Sequence, residues 1–531
     1  MKTTDNYQGK QFNNENKKVT DLKDRCVYLE QQVEELSAKV KYYEELFRIN
    51  QSKRFGSSSE KTTDEQLSFF NEAEKNSRDN LAQPDLEEVT YKRRKSRGLN
   101  KKSMEDLPVE VIEYDLSEED KECPECSGNL HKMSEEIRRE LVIIPAQVKV
   151  IKHVRSVYAC RNCERENIKT PIITAPMPKP VLPGSFVSPS LMAFIMNRKY
   201  AEAIPLYRQE QQFINFGINL SRQNLANWII NGANKWLKIL YDRMHEYLIK
   251  ESFLHADETT LQVLDEDGKD ANSKSYMWLY ATGRFGPQIV LYDYQKSRAK
   301  KHPKAFLSGF KGYLQTDGYP GYNDVENVTL IGCFAHARRG FTDALKAIKD
   351  KTSISSSVAK EGLKFCNDLF AIEKTLSGLT PKERYKRRLK ESKPILEAFL
   401  SWLKEKKELV LPKSALGKAI NYSLNQWSKL EAFLLDGQIE ISNNRAERAI
   451  KPFVIGRKNF LFCKSPKGAT ASSIIYSVVE TAKANNLSPF HYLNYLFEQL
   501  PNIDINDIKQ LDQLLPWSDN IPDICRVGPN K

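Results

Sequence analysis

Residues 253–264 read FLHADETTLQVL, followed at short intervals by YMWLYAT (276–282) and QIVLYDY (288–294). Runs of Val, Leu, Tyr and Thr bounded by Asp267-Gly268 and by Gly283 to Gly286 are the pattern of three strands joined by tight turns. A helix-prone stretch near 298–308 separates them from a strand at 312–317 (GYLQTD), and a turn-rich piece leads to another at 328–334 (VTLIGCF). A helix then begins at Ala335-His336-Ala337-Arg338-Arg339. Three strands, a crossover, a strand, a crossover and a strand describe a mixed sheet with helices on its faces, the order expected of a ribonuclease H-like core.

In that frame Asp257 lies on the first strand and Asp317 ends the fourth. Either alone would be an ordinary strand-end residue. Neighbouring strands would bring both carboxylates to one edge, and paired carboxylates with no nearby base suit hard divalent ions such as Mg²⁺ or Mn²⁺. Two such ions can activate an attacking hydroxyl and stabilise the leaving oxygen of a phosphodiester. A third acid is expected from EISNNRAERAIKP (440–452), where Glu447 sits among Arg445, Arg448 and Lys451. Glu440 and Glu480 are its rivals, and an intrahelical salt bridge is the plainer role for Glu447.

Outward from this core the chain changes character. Between 341 and 440 it is helical, with Ile395, Phe399, Trp402 and Leu403 on one face and Leu416, Ile420, Leu424 and Trp427 on another. Upstream, residues 203–237 read as a helix, a turn at Gly217 and a helix capped by Ser221, with Leu206, Phe213, Leu225 and Trp228 for a small core. Arg222, Gln223 and Asn224 would stand in the first turn of the second helix, where a helix-turn-helix presents side chains to base edges. A plain helical hairpin has the same signature.

Further upstream, Cys123-Pro-Glu-Cys126 and Cys160-Arg-Asn-Cys163 form two CxxC knuckles. Four thiolates close a tetrahedron around Zn²⁺ and leave no open position, so this metal is expected to be structural, in a ribbon with a basic face. His131 and His153 are nearby substitutes. Residues 92–102 (KRRKSRGLNKK) hold seven Lys or Arg within a flexible linker. Val19, Leu22, Cys26, Leu29, Val33, Leu36, Val40, Tyr43 and Phe47 alternate in steps of three and four, the seam of a coiled coil that would pair subunits, although a helix packed on the chain's own core has the same stripe.

The 531 residues imply several modules, and 81 Lys plus Arg against 69 Asp plus Glu give a net charge of +12. Because the excess is concentrated at 92–102 and at 445–467, where Arg457, Lys458, Lys464 and Lys467 also fall, a polyanionic partner is expected. No apolar run reaches the roughly 18 to 20 residues of a membrane span, and the first residues lack a secretory apolar stretch. The expectation is a cytoplasmic, nucleoid-associated protein with no membrane partner.

These motifs, together with RFGSSSEK (54–61), GCFAHARRGF (332–341), NNRAERAIKPFVIGRKNFLF (443–462) and SIIYSVVETAKANN (473–486), resemble the DDE-type transposases of the insertion sequence 66 family along nearly the whole chain. The resemblance implies a multidomain α+β protein: coiled coil 1–50, basic linker 51–115, zinc ribbon 116–170, helical DNA-binding segment 171–250, ribonuclease H-like core 251–340 and 441–484 interrupted by a helical insertion 341–440, and a C-terminal helical segment 485–531. It implies Asp257, Asp317 and Glu447 as catalytic ligands of two Mg²⁺ or Mn²⁺ ions. His336, Arg338 and Arg339 match the family's histidine-arginine segment and would contact DNA or the transition state. Arg222, Gln223, Asn224, Arg445, Arg448, Lys451, Arg457 and Lys458 complete the expected DNA contacts. Family members commonly carry an aspartate where this chain has Ser442, which leaves Glu447 as the third acid. Element ends and target DNA, a second subunit and small accessory proteins encoded alongside are the implied partners. Two other readings stand beside it: a non-catalytic DNA-binding regulator, and a metallohydrolase using His255, Asp257 and His336.

Overall fold

The sheet is built around β3 (Phe253–Gln262), whose first four residues are buried on both faces. Such a strand must be central, because burial on alternate sides requires neighbours above and below. In the computed structural model, which describes residues 148–159, 172–348 and 357–527 with Arg25 and Leu29, β3 is third of five strands. It pairs antiparallel with β4 (Lys274–Thr282), which pairs antiparallel with β5 (Val290–Gln295). On its other side it runs parallel to β6 (Gly312–Gln315), itself parallel to β7 (Val328–Ile331). A separate two-stranded hairpin, β1 (Val157–Ala159) and β2 (Ile172–Thr174), lies upstream. The coiled-coil seam apart from Leu29, the basic run 92–102 and all four CxxC cysteines lie outside the described residues.

Four helices precede the sheet: α1 (Pro189–Tyr200), α2 (Leu206–Asn215), α3 (Arg222–Gly232) and, after a π-helical turn at Ala233–Leu237, α4 (Lys238–Leu248). The hydroxyl of Ser221 accepts from Asn224 N (3.2 Å), and Gly217 takes a φ of +78° in the turn before it. Phe213, Leu225 and Trp228 are buried as the sequence pattern expects, but they belong to a larger core shared with β3, β4, β5 and the C-terminal helices. The segment 189–248 is therefore cemented to the sheet.

The edge strand β5 exposes backbone groups that would invite another strand. They are satisfied by hydroxyls from α12 (Pro466–Ala484), the second of two helices after the insertion, the first being α11 (Asn444–Phe460). Val290 N donates to Thr481 Oγ1 (3.0 Å), Thr481 Oγ1 donates back to Val290 O (2.9 Å), and Tyr292 N donates to Ser477 Oγ (2.7 Å). Tyr241 of α4 donates to Tyr292 O (3.0 Å). Ser477 and Thr481 stand four residues apart and so share one helix face.

The crossover after β5 contains α5 (Lys301–Phe306), and β7 leads into α6 (Phe334–Lys346). The insertion comprises α7 (Val358–Thr375), α8 (Pro381–Lys407), α9 (Ala415–Asn425) and α10 (Trp427–Glu431). Its Phe399, Trp402, Leu403 and Ile420 form a second core with Phe334 and Phe341 of α6. The chain closes with α13 (Pro489–Gln499) and α14 (Ile508–Gln513). Among the described residues no helix is long and apolar enough to cross a membrane.

Replacing Ser477 with Ala and Thr481 with Val should leave the β5 edge unsatisfied and destabilise the protein by about 1 to 3 kcal/mol per lost partner. Urea melts of both variants that overlay the wild type would contradict this role.

Candidate active site

The parallel register aligns Phe253 with Tyr313, Leu254 with Leu314 and His255 with Gln315. Asp257 lies two residues further along β3 and Asp317 two residues past the end of β6, close enough that the charge of Asp317 raises the Asp257 carboxyl. β6 ends at Gln315, and Gly318, with φ of +98°, turns the chain away immediately after the acid. That backbone conformation favours glycine, so the DG pair at 317–318 fixes where the carboxylate stops. Asp257 Oδ1 accepts from Glu258 N (2.8 Å) and Asp317 Oδ1 from Tyr319 N (2.9 Å).

Glu447 comes from 130 residues beyond Asp317, in the first turn of α11. What holds that turn against the sheet is the preceding segment, above all Asn443, which is completely buried. Its Nδ2 donates to Ala256 O (2.8 Å), its Oδ1 meets His255 Nδ1 at 2.9 Å, and its backbone N donates to Cys333 Sγ (3.1 Å). Gln315 Nε2 donates to Glu440 O (2.8 Å), and Phe334 N donates to Ile441 O (3.1 Å). Residues 440–443 are thus sewn to β3, to β6 and to the start of α6.

The electrostatics distinguish the acids. Burial, the adjacent charge of Glu258 and the nearby Asp317 and Glu447 together push the Asp257 carboxyl up to about 8, although the Glu258 amide pulls it down. Burial raises Glu258 as well, against hydrogen bonds from Tyr322 (2.7 Å) and Arg298. Glu440 behaves oppositely. Burial raises it, but His255, Arg445 and Arg284 outweigh that and hold it well below the usual carboxylate range. Glu480 is buried and bonded to Lys483 (2.8 Å). Both rivals of Glu447 are committed to cationic partners within the fold.

Glu447 has His336 Nδ1 at 3.8 Å and Arg339 at 3.7 Å, while its Oε1 has no hydrogen-bond partner. Cys333, His336 and Glu447 each place a ligand atom within 4.8 Å of the others, a grouping that Asp257 and Asp317 do not join. Cys333 precedes His336 by three residues at the junction of β7 and α6, a spacing that pairs it with His336 but gives no hint of Glu447. Asp317 and Glu447 both lie within electrostatic range of Asp257, and three carboxylates are a donor set that suits a hard divalent cation. A cation there would relieve the repulsion that raises Asp257. His255 is completely buried, with Asn443 on Nδ1 and Glu440 3.7 Å from Nε2, which removes it from an open metal site of the hydrolase kind.

The expected DNA contacts divide by geometry. Arg222, Gln223 and Asn224 are exposed in the first turn of α3, and Arg448, Lys451 and Lys458 are exposed along α11. Arg445 is bonded to Glu440 (3.0 Å) and Gln288 (3.1 Å), and Arg338 to Asn367 (2.8 Å). Arg457 points inward against Thr259 (3.3 Å) and Thr260, tying α11 to β3. Beyond the sequence reading, Asn227, Asn231 and Asn234 extend the stripe begun by Asn224 along a cavity of about 550 Å³.

The sequence profile of the Transposase IS66 family matches residues 184–471, more than half of the chain. A profile for the zinc-finger binding domain of transposase IS66 matches 120–164, which contains all four CxxC cysteines. The IS66 C-terminal element matches 477–517, and the Transposase C of IS166 homeodomain matches 42–112. Two relatives from Sinorhizobium fredii (strain NBRC 101917 / NGR234) are described as uncharacterized. Protein y4jD is 32% identical over 82% of this chain and 85% of its own length, and protein y4hP is 31% identical over 74% and 73%.

A buried acid whose folded pKa lies above its unfolded value of 3.8 binds more protons folded than unfolded between the two, so its contribution to stability falls as pH rises from about 4 to 8. Asp257→Asn should therefore melt higher than the wild type in the metal-free protein, by on the order of 5 °C at pH 8 and by little at pH 4. Thermal melts with a pH-independent difference would refute the shift.

Proposed function

Because this chain belongs to the IS66 family of transposases, we propose that it is a DDE-type enzyme that cuts DNA at element ends and joins the freed 3′ hydroxyl to target DNA. The observation that carries the reading is that Asp317 and Glu447, from segments remote in sequence, both lie near enough to Asp257 to raise its carboxyl, while the competing acids Glu440 and Glu480 are bonded to cationic side chains. The order β5-β4-β3-β6-β7, antiparallel on one side of β3 and parallel on the other, supports a ribonuclease H-like core.

Asp257, Asp317 and Glu447 would hold a pair of Mg²⁺ or Mn²⁺ ions. Such ions, when bound, lower the pKa of an attacking hydroxyl and stabilise the leaving oxygen. The chain's own contributions are positional. The Asn443 strap fixes Glu447 relative to β3, and His336 and Arg339 stand beside Glu447 where a scissile phosphate would carry charge. Arg448, Lys451 and Lys458 offer an exposed line of cations for a phosphate backbone, which positions DNA without reading its sequence. The zinc module at 120–164 has a structural role, and the 19–47 seam pairs two subunits so that two ends are handled together. Terminal-repeat binding by α3 and help from small accessory proteins complete the reading.

Purified protein incubated with labelled element ends in Mg²⁺ should nick one strand at a defined nucleotide. Asp257→Asn, Asp317→Asn and Glu447→Gln should each lower that rate by at least about 10³-fold while shifting DNA affinity little. Cleavage that survives in Asp257→Asn and Asp317→Asn would defeat the assignment.

A further inference from the structure

The last turn of α11 ends in an unusual piece of backbone. Leu461 has φ of +63° and ψ of −53°, and Phe462 N donates to Phe460 O at 2.7 Å. A three-residue turn of this hand is rare and strained, and a branched side chain at its centre makes it more so. Strain of this kind, on the order of 1 to 3 kcal/mol, persists where surrounding structure imposes it, and it gathers at functional sites. Here both flanks are anchored. Leu461 N donates to Arg457 O (2.7 Å), Cys463 N donates to Gln262 O (2.9 Å), Leu264 N donates to Cys463 O (3.0 Å), and Asp265 N donates to Lys464 O (2.8 Å).

The strained turn holds two large apolar side chains in water, since Leu461 is 64% and Phe462 43% exposed. Their surroundings are basic: Lys458, Lys464 and Lys467 are all exposed. Along α11, Glu447, Lys451, Val454 and Lys458 recur in steps of four and three, which places them on one stripe, and Leu461 follows the last turn of that helix. The candidate catalytic acid is at one end of that stripe, cations lie along it, and the apolar pair is at the other end.

We propose that Leu461 and Phe462 form a wedge that enters the base stack of bound DNA and unstacks one step at a fixed distance from the cleavage site. The charge around them fits a polyanion, and apolar wedges of Leu and Phe are the means by which proteins pry base steps apart. The distance follows from two rulers. Thirteen helical steps separate Glu447 from Phe460, the last residue of α11 before Leu461, about 20 Å at 1.5 Å each. Six strand residues separate Asp257 from Val263, which bridges to Cys463, about 20 Å at 3.3 Å each. Twenty ångströms is about six base pairs, so the opened step lies roughly six positions from the scissile phosphate.

The inference rests on the transposase reading, and a binding assay in Ca²⁺ separates the two. Duplexes carrying the end of the element that encodes the chain receive a single 2-aminopurine at each position from two to ten base pairs from the nick. Wild-type full-length protein should bind and raise fluorescence about threefold or more, with a maximum five to seven positions away. Leu461→Gly and Phe462→Ala should abolish the rise with less than about threefold loss of affinity, and Leu461→Gly, freed of strain, should melt no lower than the wild type. Binding without a localised rise, or a rise retained in the double variant, overturns the wedge alone. A rise lost together with self-association by sedimentation assigns the pair to a subunit contact and also overturns it. Failure of the wild type to bind the duplex overturns both readings.

Discussion

The arrangement depends on a single buried amide. Asn443 reaches Ala256 and His255 on β3 with its side chain and Cys333 with its backbone, so one residue fixes the distance between segments almost two hundred positions apart. Buried amides of this sort are unforgiving, because a donor or acceptor left without a partner in the interior loses its water and gains nothing in return. Everything C-terminal to it, including Glu447 in the next turn, inherits its placement.

The helical insertion serves the same end. Arg388 is completely buried, and its guanidinium bonds Glu373 (2.6 and 2.8 Å) and the carbonyls of Phe433, Asp436 and Ile439 at 2.8 to 2.9 Å. Those carbonyls belong to the stretch that runs into Glu440 and Asn443. A buried arginine needs a full set of acceptors, and here the acceptors are the backbone that must be held still. The insertion thereby braces the segment that leads to Glu447, which gives about a hundred residues between Asp317 and Glu447 a mechanical purpose.

Much of this was legible in the sequence. Strand periodicity located β3, β4 and β5 to within two residues at each end, because short-range sterics govern it, and it put Asp317 at the end of the fourth strand, which in the structure stops two residues earlier at Gln315. The cap at Ser221 and the apolar faces of the insertion followed from helical spacing for the same reason. What could not be read were pairings set by tertiary packing. Arg445 and Arg457 look like phosphate ligands in a basic run, yet Glu440 and the backbone of Thr260 claim them. Cys333 gives no sign of standing beside Glu447, since the contact joins residues 114 apart. Ser477 and Thr481 look like polar interruptions of an apolar helix until the open edge of β5 is placed next to them.

The central claim is that Asp257, Asp317 and Glu447 share one divalent site, and iron can report on it directly. Fe²⁺ substituted into the Mg²⁺ position, with ascorbate and peroxide, generates hydroxyl radicals that cut the polypeptide close to the bound ion. If the three acids share the ion, cuts cluster around 257, 317 and 447 together and are all suppressed by excess Mg²⁺. Cuts confined to the neighbourhood of Cys333, His336 and Glu447, sparing both aspartates, would contradict it.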